Sequence, residues 1–237
     1  MKIAYLFDVD GVLCDTGCVI DPEFKQFFLD WSKDKDYYLI TGGERQSTID
    51  QVGLDIVQRA KIGFHCMGNQ IFIDDREYKI NQLQLTEPEH WWLENYALES
   101  PYPIKTGNNI EYRVGSINYS VIGKNATVEQ KKEYFEWDSI NKERVLLVKQ
   151  IAELFPRLEA FIGGNASIDI CLRGANKGLC IDILKTEYNR MIFFGDKCFI
   201  NGIDYPIKKI SINDPIVVKV LDIKLGYKET WEKLKTL

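Results

Sequence analysis

Two aspartates, Asp8 and Asp10, stand one residue apart at the end of the apolar run "IAYLF" and just ahead of Gly11. Carboxylates so placed can share a phosphoryl transfer. One attacks phosphorus, and the other protonates the leaving oxygen and later takes a proton back. Two acids this close repel unless a cation lies between them, so the pair implies Mg²⁺, with Asp196 after "MIFF" as a further oxygen ligand. Thr41 at the end of a second apolar run and Lys177 near the start of a later helix can hold phosphoryl oxygens. Acids after strands are also ordinary loop residues. A set recurring at the ends of several separate apolar segments is harder to read as that.

Such a set needs a rigid scaffold, and the flanking segments read as one. Ile3 to Phe7 has the continuous apolar character of a strand buried on both faces. Asp21-Pro22 offers an N-cap and first-turn proline for a helix carrying Phe24, Phe27, Phe28 and Trp31 at helical spacing. "YYLITGG" reads as a second strand, "ERQSTIDQVG" as a short helix closed by Gly53, and "KIGFHC" and "NQIFIDD" as further strands. This alternation predicts an α/β fold with a mostly parallel, Rossmann-like sheet, whose ligands bind at the carboxyl ends of the strands.

Between about Leu83 and Gly174 the pattern changes. A Trp-rich helix precedes the alternating segment "NIEYRVGSINYSVIG"; Thr127 and Gln130 form a capping box, "KERVLLVKQIAELF" is amphipathic, and a strand "NASIDICL" follows. The expectation is an inserted α+β cap with an antiparallel sheet, residues 83–174, in a discontinuous core of residues 1–82 and 175–237. After it, "KGLCIDIL" reads as a helix, "MIFF" as a buried strand, and Glu229 to Leu237 as a last amphipathic stretch.

Composition sets bounds. The chain has 237 residues, 45% hydrophobic and 27% charged, and a net charge of −5 with signs interspersed, so no nucleic-acid footprint is expected. No apolar run suits a membrane span, and "MKIAYLFDVDG" is too short in apolar residues for a signal peptide. Six scattered cysteines without a CxxC pair are expected as reduced thiols, and a cytoplasmic location follows.

The four elements "DVDGV", "LITGG" with Thr41 and Gly42, Lys177, and "FFGDKCFINGID" occur in the order of the four motifs of the haloacid dehalogenase superfamily, which the chain resembles. The resemblance implies Asp8 as nucleophile and Asp10 as general acid/base. It implies Mg²⁺ bound by Asp8, the Asp10 carbonyl oxygen and Asp196, with Asp204 nearby.

The insert carries a finer likeness. "EYRVGSINYSVIGK", "GGNASIDICLRGANKG" and "FFGDKCFINGIDYPI" resemble "EFRNGMLNVSPIGR", "GGQISFDVFPxGWDK" and "FFGDKTxPGGNDYEI" of eukaryotic-type phosphomannomutases. On that likeness Arg113, Lys124 and Lys131 (or Lys132) stand where the family binds phosphate, Asn118 matches a substrate asparagine, and Ser167 and Asp169 match residues that bind sugar hydroxyls and phosphate. Ser167 and Asp169, two apart on a strand, share one face, while Ile168, Ile170 and Leu172 take the other. Arg113 and Asp169 are equally readable as a structural ion pair, and Lys131 and Lys132 as a solvated helix face. The family further implies a hexose 1,6-bisphosphate activator, a small sugar-phosphate substrate, a supply role toward GDP-mannose, and a homodimer through the cap, for which Trp91, Trp92 and Tyr96 are the surface candidates or, equally, internal packing.

Departures from the family pattern matter. "DGVLCDTGCVI" lacks the arginine that follows the aspartates, Lys124 and Lys131 replace arginines and lose bidentate recognition, and Ile203 takes the place of an asparagine. Three readings follow: a phosphomannomutase, a Mg²⁺-dependent sugar-phosphate phosphatase on the same fold, and a non-catalytic sugar-phosphate binder, the last opposed by the intact Asp8, Asp10, Lys177 and Asp196.

Overall fold

The computed structural model describes residues 2–237. The chain begins β1 (Ile3–Phe7), α1 (Pro22–Trp31), β2 (Asp36–Ile40), α2 (Arg45–Val52), α3 (Leu54–Arg59), β3 (Ile62–His65), β4 (Gln70–Ile73) and β5 (Arg76–Lys79). The insert supplies α4 (Glu87–Glu99), β6 (Ile110–Arg113), β7 (Ser116–Tyr119), α5 (Val128–Asn141), α6 (Glu143–Leu154), β8 (Leu158–Ile162) and β9 (Ile168–Leu172). The chain then returns through α7 (Leu179–Leu184), β10 (Arg190–Gly195), α8 (Tyr205–Asn213), β11 (Val218–Asp222) and α9 (Tyr227–Leu234).

The larger sheet runs β11-β10-β1-β2-β3-β4-β5. Its first five strands are parallel with β1 in the middle, and β4 and β5 extend it as an antiparallel hairpin. Successive residues of β1 feed opposite layers. Tyr5 and Phe7 pack with Phe24, Phe28 and Ile56 on one side, and Ala4 and Leu6 with Ile181, Leu184 and Ile207 on the other. Phe7 stacks on Phe194 of β10 at 4.6 Å between ring centroids, which fixes the two strand ends that carry acids. Asp21 caps α1 as its sequence implies, accepting from the N–H groups of Glu23 and Phe24.

Some elements were not anticipated. β5 is exposed throughout and exists by pairing with β4, so no periodic burial marks it in the sequence. β8 follows the amphipathic α6 after only a short turn, and α8 and β11 lie beyond the glycine turn at Gly195. The last helix is shifted, ending at Leu234.

The insert forms the antiparallel sheet β6-β7-β9-β8. Its register sorts side chains into rows. Glu111, Asn118 and Asp169 are direct neighbours across β6, β7 and β9, whereas Tyr119 and Ile168, and Ile117 and Ile170, pair on the opposite face and pack with Leu93, Tyr134 and Leu147 from the helices. One face is therefore the cap's own core, and the other presents polar groups. Among the aromatic residues of α4, Trp91 is exposed, but Trp92 packs against Tyr96 and Phe155. Trp92 and Tyr96 are thus internal packing rather than surface.

The two sheets meet at a seam. Ile162, at the end of β8, donates to Asn201 O (2.7 Å) and accepts from Ile203 N (3.1 Å), and Met67, Ala175 and Ile203 bury against Phe161 and Cys171. Among the described residues no helix is long and apolar enough to cross a membrane, and all six cysteines are unpaired.

Candidate active site

At the carboxyl end of β1 the chain makes a tight turn in which Val12, Leu13 and Cys14 fold back on Val9 O. Gly11 sits at φ +75°, and a Cβ there would lie 2.4 Å from Asp196 Oδ2, so glycine is required both by the backbone and by the neighbouring acid. The turn leaves Asp8 buried and Asp10 half-exposed. Asp8 Oδ1 accepts from Val9 N (2.8 Å), and Oδ2 lies 2.8 Å from Lys177 Nζ. Asp10 is held by Gly17 N and Gln51 Nε2, each 2.8 Å from Oδ1.

Lys177 is wholly buried between Asp8 and Asp204, 2.7 Å from the latter. The two carboxylates outweigh burial and hold its ammonium charged, above its ordinary range. Asp204 turns its second oxygen to the N–H groups of Asp196 and Lys197, both 3.1 Å. With both oxygens engaged, Asp204 acts by fixing Lys177 and the Asp196 turn. Asp196 Oδ2 pairs with Lys197 Nζ at 2.7 Å, whereas its Oδ1 is buried with no hydrogen-bond partner. Burial raises the Asp8 and Asp196 carboxyls above the usual range, most strongly for Asp8, against the pull of their lysines.

These acids fit a divalent cation. Oxygens of Asp8, Asp196 and Asp204 lie within 4.8 Å of one another, and an orphaned buried carboxylate oxygen on Asp196 is the donor such an ion would satisfy. An all-oxygen set suits Mg²⁺. The Asp10 carbonyl accepts none of the backbone bonds of the turn among the described residues, so it is free to join them.

Facing this centre across a cavity of about 410 Å³ is the polar face of the insert. The cavity is lined by Asp8, Asp10, Thr41, Gly42 and Lys177 on one side and by Arg113, Asn118, Lys124, Ser167 and Asp169 on the other. Thr41 Oγ1 accepts from Gly43 N (3.1 Å), which shapes the loop after β2. Gly42 O accepts from Arg113 (3.1 Å), so the loop is tied to the insert. Asn118 donates to Asp169 Oδ1 (2.8 Å) and Ser167 Oγ (3.2 Å), and Lys124 donates to Asn118 Oδ1. Gly163 is required here too: a Cβ would stand 2.1 Å from Asp169 Oδ2. Burial raises the Asp169 carboxyl despite Arg113 and Asn118.

The structure thus brings together every sequence-derived site residue except Lys131, with Asp196 and Asp204 immediately behind the cavity wall. Lys131 is half-buried in the first turn of α5, its N–H on Thr127 O, and does not line the cavity; Lys132 beside it is exposed. The Arg113–Asp169 ion pair exists but is long, 3.5 Å, and the stronger partner of Arg113 is Glu111. Sequence reading missed Glu111, although period-two alternation in "IEYRV" places it on the same face as Arg113. It also missed Lys197, adjacent to Asp196, and Gln51, for which no local signal exists.

A phosphoryl-transfer centre at the carboxyl edge of a Rossmann-like sheet, roofed by an antiparallel insert, defines the haloacid dehalogenase class. The fold agrees with solved structures: the C-terminal domain of Candida albicans trehalose-6-phosphate phosphatase (TM-score 0.67, 13% identity, covering 99% of this chain and 91% of that one) and a trehalose-6-phosphate phosphatase related protein (TM-score 0.60, 18% identity, 98% and 96%). Those likenesses speak for the fold alone. A family profile described as eukaryotic phosphomannomutase matches residues 28–219. The chain is 32% identical over 213 residues to a phosphomannomutase of Spinacia oleracea (86% of each chain) and 29% identical over 228 residues to phosphomannomutase 1 of Dictyostelium discoideum (90% of this chain, 88% of that one). The chain belongs to the eukaryotic phosphomannomutase family.

Proposed function

We propose that the protein is a phosphohexomutase of the phosphomannomutase type, interconverting mannose 6-phosphate and mannose 1-phosphate through a hexose bisphosphate. Residues 1–82 with 175–237 act as the catalytic core and 83–174 as the cap. The observation that carries the reading is the two-sided cavity: Asp8 and Lys177 face the polar row of the insert across one shared cleft.

In this reading an Asp8 oxygen attacks the phosphorus of a bound bisphosphate, the bond to the sugar oxygen breaks, and Asp10 delivers a proton to that oxygen. Lys177, fixed by Asp204, and Thr41 hold the phosphoryl oxygens in line. Mg²⁺ held by Asp8, Asp196 and the Asp10 carbonyl, with Asp204 behind, would supply positive charge against the transferring group. Arg113, Asn118, Lys124, Ser167 and Asp169 hold the sugar and the phosphate that is not reacting during each transfer. On a bound monophosphate, Asp10 takes the proton from the free hydroxyl as that oxygen recovers the phosphoryl group from Asp8; the bisphosphate so formed turns end for end, and Asp8 then takes the phosphoryl group from the opposite oxygen. A hexose 1,6-bisphosphate primes the cycle, the product feeds GDP-mannose formation in the cytoplasm, and exposed Trp91 on the cap is offered as part of a homodimer face.

One observation favours a phosphatase as the second reading: Thr16 and Gly17 line the cavity where the family carries an arginine, so the grip on phosphate at the junction is weaker. Phosphorus NMR of the protein with mannose 1-phosphate, Mg²⁺ and a trace of hexose 1,6-bisphosphate separates the two. Accumulating mannose 6-phosphate supports the mutase; inorganic phosphate in step with substrate loss, without isomer, supports the phosphatase.

A further inference from the structure

Within the insert, Glu111 pairs with Arg113 and Lys124, two cations that line the cavity, although it does not line the cavity itself. Its Oε1 is 2.5 Å from the Arg113 guanidinium and its Oε2 is 3.0 Å from Lys124 Nζ, so one carboxylate spans the two cations. Burial works to raise this carboxyl, but Arg113 and Lys124 outweigh it and keep it ionised, below the usual range. Glu111 shares a row with Asn118 and Asp169 across β6, β7 and β9, in the plane of the substrate-facing side of the sheet. Counting Arg113 and Lys124 against Glu111 and Asp169, the cluster carries no net charge. A pure anion trap would not be balanced in this way.

We propose that Glu111 is an internal stand-in for the sugar's non-reacting phosphate: it occupies Arg113 and Lys124 in the free protein, yields when substrate binds, and competes for the same cations so that the bisphosphate can let go and turn around. This rests on the mutase reading of the site. It assigns to Glu111 control over how long the intermediate stays, a role distinct from holding substrate. A carboxylate that only oriented Arg113 would act oppositely, because its loss would loosen the phosphate site. The sign of the effect therefore decides.

The test compares the natural protein with Glu111→Gln, which keeps the size and one acceptor but removes the charge. Inorganic phosphate binding is measured by calorimetry without substrate turnover. Among the described residues Glu111 makes no contact with Asp8 or Lys177 and pairs only with Arg113 and Lys124, so a change in affinity reports those two cations. The expected result is roughly tenfold tighter phosphate binding, the scale on which one unit charge acts at this range near a protein surface. KM for mannose 1-phosphate falls, and kcat for isomer formation falls with it. Unchanged or weaker phosphate binding by a folded Glu111→Gln protein overturns the proposal. Glu111→Ala provides a second variant with the same expected direction if Gln perturbs the strand. Should the natural protein form no isomer, the mutase reading fails, yet the phosphate titration still reads Glu111.

Discussion

Asp204 reaches Lys177 through one carboxylate oxygen, 2.7 Å away, and the N–H groups of Asp196 and Lys197 through the other. The lysine that faces Asp8 and the turn that carries the candidate metal ligand are therefore one hydrogen-bonded unit, with Lys177 and Asp204 fully buried and Asp196 and Lys197 half-buried. Its members depend on each other. Replacing Lys177 by Met leaves Asp8 and Asp204 buried without a counter-charge, a change that costs about 3–5 kcal/mol. We expect loss of turnover together with a large drop in the midpoint of urea unfolding. A Lys177→Met protein of unchanged stability would show that the acids are not held by it.

Arg144 links α5 and α6 to the Gly164–Ser167 loop that lines the cavity. It is buried, pairs with Asp138 at 2.8 Å, and donates to Gly164 O (2.7 Å) and more weakly to Ser167 O (3.4 Å). Lysine cannot reproduce this fork. Arg144→Lys is expected to raise KM for the sugar phosphate roughly tenfold, with a smaller change in kcat, because chemistry at Asp8 is untouched. A fall in kcat with KM unmoved would argue against a positioning role.

Gly163 leaves room for Asp169. A methyl group would overlap Asp169 Oδ2, so Gly163→Ala must displace either the loop or the carboxylate. Misplacement on this scale is expected to reduce kcat/KM by up to about 100-fold. Steady-state kinetics beside a thermal melt would check it, since wild-type kcat/KM in the variant would mean that Asp169 does not contact substrate.

His65 predicts an acid limb of stability. It is fully buried, Nδ1 lies 3.2 Å from Thr48 Oγ1, and Nε2 has no partner. Burial, with help from Arg45, lowers its pKa to about 4. Unfolding returns it to about 6.5, so the unfolded chain binds more protons between these values and stability falls as pH drops from 6.5 toward 4. The loss amounts to about 3 kcal/mol, and urea titrations at several pH values should find it reduced in His65→Gln. An identical pH profile in that variant would assign the limb to other groups.

How much of this was legible in the sequence depends on how local each signal is. Asp8, Thr41 and Asp196 could be read because each ends a continuous apolar strand, and the strand end is where this fold places ligands. Ser167 and Asp169 could be read because they match residues of the family motif, and alternation puts both on one face of the strand. Lys131 is placed by its match to a family arginine, with a solvated helix face as the alternative, and it lies off the cavity lining in the first turn of α5. Glu111 shares a strand face with Arg113, which alternation encodes, but its second partner, Lys124, lies across a turn and no spacing rule joins the two. The Ile162–Ile203 seam and the Arg144 fork join segments far apart in the chain, and no spacing rule encodes them. Trp92 and Tyr96 are a reminder that an aromatic cluster on a helix is more often packed than offered.

The central claim is that Asp8 carries the phosphoryl group between the two ends of the sugar. Acid quenching after mixing with hexose 1,6-bisphosphate and Mg²⁺, followed by mass spectrometry of the proteolysed chain, tests it most directly. The phosphoryl adduct should appear on the peptide containing Asp8 and vanish in Asp8→Asn, along with all isomer formation. An adduct on another residue, or an Asp8→Asn protein that still interconverts the two mannose phosphates, would contradict the account.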